Sequence, residues 1–124
     1  MKAYDPSRDP DSRAWLELDE QERIHLVRRY HRRAGIRLPN ATLHAVVHMI
    51  IENQLAETDP RVVDAFGRLV REGLDRHEAL HAMGALVAEH LWKVMREPSG
   101  ASRANEEYYQ ALATLTADQW REAR

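Results

Sequence analysis

A cysteine-free chain of 124 residues is long enough for one domain with its own core, and it excludes disulfides and thiolate metal sites. Its formal net charge of -2 gives no overall attraction to nucleic acid or anionic membranes, and its apolar runs fall well short of the roughly 20 residues that span a bilayer. The opening "MKAYDPSRDP" contains no apolar leader region, so a cytoplasmic location is the default expectation, and the 7 histidines are the compositional anomaly.

In chain order, capping signals divide the sequence into five to six helices and no strand. Asp19 with Glu22 has capping-box spacing and opens a helix that Gly35 closes after Ala34. Asn40 caps a second helix over about 41–56. Asp59 and Pro60 supply the cap and first turn of a third, which ends at Gly73. Asp75 and Glu78 repeat the capping-box spacing at the start of a long helix that runs to about Arg96, where "EPSG" breaks it. Asn105 and Thr116 are caps for two short terminal helices. "AVV" and "MII" have the β-branched character of a strand, but no partner strand exists for them anywhere in the chain. The expected architecture is an all-α, single-domain helical bundle over 1–124, with 1–18 and 97–124 as peripheral segments.

The stretch "LHAVVHMIIENQ" places two histidines in an otherwise apolar helix. At about 100° per residue, His44 and His48 lie roughly 40° apart and share a stripe with Val47, Ile51 and Leu55. They face the core, and Glu52 sits on the flank of the same stripe. "HEALH" repeats the spacing, with His77 and His81 on a face shared by Gly84, Ala85 and Ala88, small residues that let a neighbouring helix come close. A buried imidazole needs a hydrogen-bond partner or a metal for each ring nitrogen. One core histidine is more often a hydrogen-bonding residue than a ligand. Two i,i+4 pairs on separate helices point instead to His44, His48, His77 and His81 around one divalent ion, with Glu52 as an added ligand or as an acceptor behind the ligands.

The same residues also fit parts of other spacing patterns. "HEALHAMG" matches the H-E-x-x-H zinc-peptidase signature, but Glu78 already has a place in the capping box and the third metzincin ligand position is Val87. His48, Glu52, His77 and His81 follow the central part of a hemerythrin-like di-iron pattern, with His25 or His31 as an upstream ligand. The chain after His90 has no histidine to complete it. The cationic run "VRRYHRRAGIR" closes the first helix, where a solvated, dipole-complementing face is expected, and no nucleic-acid recognition motif accompanies it.

The segments "WLELDEQERIHLVRRYHRRAGIRLPN", "LHAVVHMIIENQLA" and "EGLDRHEALHAMGALVAEHLW", and more loosely "NEEYYQALATLTADQW", resemble an uncharacterised bacterial domain of unknown function over most of the chain. The resemblance implies that the two H-x-x-x-H pairs are retained among more distant members while the residue at Glu78 varies. It implies a site and supplies no activity.

The expected cofactor is a divalent metal, with zinc favoured and iron, nickel or copper as alternatives, since imidazole suits all four. Four histidines close a tetrahedral site, which favours a structural or sensor role. A metal-dependent hydrolase or a hemerythrin-like iron protein is the alternative, and a metal-free interaction module a further one. Helix 41–56 is apolar nearly all the way round, so it is expected at the centre of the bundle, with a homodimer contact as another way of covering it.

Overall fold

The computed structural model describes residues 1–124 as seven α-helices without a strand: α1 (Ser12–Glu17), α2 (Glu20–Arg33), α3 (Ala41–Ala56), α4 (Pro60–Arg71), α5 (Arg76–Arg96), α6 (Ala101–Thr114) and α7 (Ala117–Ala123). The all-α expectation holds, and the helix count exceeds the expected five to six. The additional element is α1, a six-residue turn too short to show periodicity, capped by the Asp11 carboxylate on the Ala14 amide at 2.9 Å. A second difference lies at Asn105, expected as a cap and found inside α6. A 3₁₀ turn at Pro98–Gly100 leads straight into Ala101, so the helix starts earlier.

Local chemistry accounts for the other boundaries. Asp19 and Glu22 form a reciprocal capping box, and Gly35 takes the left-handed φ of 74° that ends α2. Asn40, Asp59, Asp75 and Thr116 each accept a hydrogen bond from the first turn of the helix they open.

α3 is the central helix, packed against α1, α2, α4 and α5. Met49 is buried within the chain itself, so this face of α3 is covered without a second copy. Two core clusters form around α3. The larger gathers Ile51, Leu69, Met83, Leu112 and their neighbours from α3 through α7, and the smaller joins Tyr4, Trp15, Leu26, Val27, Ala45 and Met49. Residues 1–18, read from sequence as peripheral, thus insert Tyr4 and the fully buried Trp15 into the second cluster. No helix is long and apolar enough to cross a membrane.

The spacing between α3 and α5 is set at Gly84. A β-carbon there would stand 2.8 Å from Cγ1 of Val47, a contact that no real side chain makes. Only glycine lets the helices approach this closely, and the approach carries both histidine pairs into one space.

Candidate metal centre

Five imidazoles from three helices meet between the two core clusters. α2 contributes His31 from its last turn, α3 contributes His44 and His48, and α5 contributes His77 and His81. His48 is at the centre of the group. Its ring centroid is 4.8 Å from His44, 4.9 Å from His31, 5.1 Å from His77 and 5.2 Å from His81. One ligand atom from each of His31, His44, His48 and His81 lies within 4.8 Å of the other three, a grouping that can close on a single ion. His77 stands beside this set, its ring 4.2 Å from that of His81.

The hydrogen bonds behind the rings fix the direction of their lone pairs. Nδ1 of His31 is 2.9 Å from the Val27 carbonyl oxygen; an oxygen of that kind only accepts, so Nδ1 carries the proton and Nε2 holds the lone pair. Nε2 of His44 lies 3.2 Å from that atom. Behind His48, the Tyr4 hydroxyl donates to Glu52, leaving the Tyr4 oxygen to accept from Nδ1 of His48 at 3.2 Å. His48 therefore also presents a bare Nε2. The Nε2 atoms of His48, His77 and His81 are buried and have no hydrogen-bond partner in the protein. Buried nitrogens of this kind are costly unless something accepts their lone pairs.

Glu52 lies behind His48, joined to it through the Tyr4 hydroxyl, and is not among the converging ring nitrogens. Its oxygens receive Nη1 and Nη2 of Arg76 at 2.8 and 2.7 Å together with the Tyr4 hydroxyl, and its carboxylate is almost completely buried. Arg76 extends the chain of contacts outward to the Pro6 carbonyl at 3.0 Å and the Asp9 carboxylate at 2.8 Å. Glu78 follows a different course from the sequence expectation. Asp75 caps its amide, but the reciprocal half of the capping box is absent, because the Glu78 carboxylate accepts from Trp120 Nε1 at 2.7 Å and pairs with Arg124. That engagement with α7 lends no support to Glu78 as a water-activating base. His25 is exposed, and His90 lies between α5 and α6 with Nδ1 3.3 Å from the Ala104 carbonyl.

The electrostatics favour neutral rings. Burial, reinforced by the neighbouring imidazoles, lowers His44 and His81 from the ordinary 6.5 to about 4, and moves His48 further in the same direction. Burial also lowers His31 and His77. Neutral imidazole is the form that ligates a metal. Burial and then the Glu52 charge raise Tyr4 well above the ordinary phenol range, which keeps its proton in place.

On one side the cluster opens. His44, His48 and His81 border a cleft of about 500 Å³ between α3 and α5, walled mainly by aliphatic side chains.

The chain matches the family model described as domain of unknown function DUF1841 over residues 8–114. It belongs to that family. The DUF1841 span contains all five clustered histidines, Glu52 and Arg76, and it leaves Tyr4 and Trp120 outside. No curated protein and no solved structure matches the chain.

Tyr4 and Arg76 are absent from the site expected from sequence, and His31 enters that expectation only as an upstream ligand of the di-iron alternative. His31 had a readable signal, since Ile24, Val27 and His31 follow the 3 and 4 spacing of a buried stripe within the arginine run. Tyr4 and Arg76 had none, because their roles depend on contacts 48 and 24 residues away in the chain.

Proposed function

We propose that this chain is a divalent-metal-binding protein whose ion is held by His31, His44, His48 and His81, with His77 as a fifth imidazole beside them. The observation that carries the reading is the convergence of four ligand atoms within 4.8 Å, two of the four rings having a buried Nε2 without a hydrogen-bond partner. The tetrahedral edge around zinc, with Zn–N near 2.0–2.1 Å, is about 3.3 Å, so the rings draw inward modestly on binding. The all-imidazole donor set favours zinc and accommodates iron(II), nickel or copper(II). Four protein ligands suit a structural or sensor role. One feature favours a second reading, metal-assisted hydrolysis: His44, His48 and His81 border a cleft with room for a small molecule beside the ion.

The test is elemental analysis of protein purified without a histidine tag, followed by melting in the presence and absence of a chelator. One ion per chain is expected, with a melting temperature that falls on chelation and a His48→Ala variant that has lost most of this sensitivity. If the isolated protein holds no metal and zinc, nickel, copper and iron all leave its melting unchanged, the histidines are core hydrogen-bonding groups and the proposal fails.

A further inference from the structure

We infer that the cleft beside the histidines is a binding site for a small monoanion with an apolar body, its head on the ion and its body between α3 and α5. This rests on the metal reading and adds to it the class of ligand. At about 500 Å³ the cleft is within the range of small-molecule sites. Leu38, Leu43 and Val47 line the α3 side, and Ala85 and Ala88, with short side chains, leave space on the α5 side. Leu43 is 45 % exposed here, an apolar surface that the chain itself leaves uncovered. No charged side chain lines the cleft. A lysine-seeking or polyphosphate ligand has nothing to pair with on such walls, whereas an alkyl or aryl group does.

Charge argues for the anionic head. Neutral imidazoles leave the full double positive charge on a divalent ion. The acidic side chains that flank the cluster are already engaged, Glu52 by Arg76 and Tyr4, Glu78 by Trp120 and Arg124, and Asp75 by the Glu78 amide that it caps. A buried cation without a counter-charge is costly, so the compensating anion comes from outside, and the cleft is the side from which His44, His48 and His81 can be reached.

Benzoate is the probe, titrated by calorimetry into the zinc-loaded full chain and into the same protein stripped by chelation. Benzoate is expected to bind once per chain, at least tenfold more tightly than acetate, which has the head without the body, and at least tenfold more tightly than benzyl alcohol, which has the body without the charge. Stripping removes the binding, and Ala85→Trp, which fills the cleft from an exposed position, weakens it tenfold or more. Zinc-loaded protein that ignores benzoate, binds acetate equally well, or is unaffected by Ala85→Trp overturns the inference while leaving the metal site standing. A chain that takes up no zinc, with benzoate binding absent or unchanged by chelation, overturns the metal reading and this inference together.

Discussion

His48 is oriented from behind by a hydroxyl whose own proton is committed to Glu52, and Glu52 is in turn held by both terminal nitrogens of Arg76. Groups placed behind a metal-binding histidine fix its tautomer and raise its basicity, and losing one typically costs about 10- to 100-fold in metal affinity. Tyr4→Phe keeps the ring that packs 5.5 Å from Trp15 and removes the oxygen, leaving Nδ1 of His48 without its acceptor. The expected result is a folded protein with zinc affinity lowered by about 10- to 100-fold, measured by competition with a chromophoric chelator. An affinity within twofold of the parent chain would restrict Tyr4 to packing. Nothing local in the sequence announces this role. Tyr4 stands in a Pro- and Asp-rich opening that has no helical period, and it meets His48 across 44 residues.

At the scale of elements, the distance between α3 and α5 decides whether the two histidine pairs meet. Gly84→Ala places a methyl group against Val47, a short and stiff side chain, so the helices must separate. Overpacking of this kind typically costs about 1–3 kcal/mol of stability. Zinc affinity is expected to fall along with it, because His81 lies three residues from the contact on the same helix. Urea unfolding and metal competition on the same variant check both effects. Unchanged affinity at reduced stability would show that the site tolerates a wider gap. The boundaries of α2 to α5 and the two i,i+4 pairs were legible in the sequence because capping and helical periodicity act over three or four residues. The heptad-scale clue at Gly84 was also legible, as a small residue on the histidine face. The turn of Glu78 toward Trp120 was not, since the capping-box spacing gives the carboxylate one local partner and the fold offers it another from α7.

For the molecule as a whole, five imidazoles held neutral make folding depend on pH. His44 and His81 titrate at about 4 in the folded chain against 6.5 when exposed, so between these values the unfolded chain takes up protons that the folded chain refuses. This contribution to stability is complete above about pH 6.5 and declines as the pH falls toward 4. The chelator-stripped protein is therefore expected to show urea midpoints that are level near neutrality and drop through this window; a flat profile would contradict neutral burial. With an ion bound, protons compete for the same lone pairs. The melting difference between loaded and stripped protein should be large at about pH 7.5 and small near about pH 5.

Three of the four converging histidines, His31, His44 and His48, belong to the single hairpin formed by α2 and α3, while His81 arrives from another helix. Bringing distant residues together costs more entropy the longer the intervening loop, so the hairpin trio is also the easiest set to gather in a chain that has otherwise unfolded. An ion bound by the four proposed histidines would thus retain a partial home in the denatured ensemble. Its net effect on stability is then expected to be smaller than its affinity for the folded protein implies, because mass action counts only the difference between the two states.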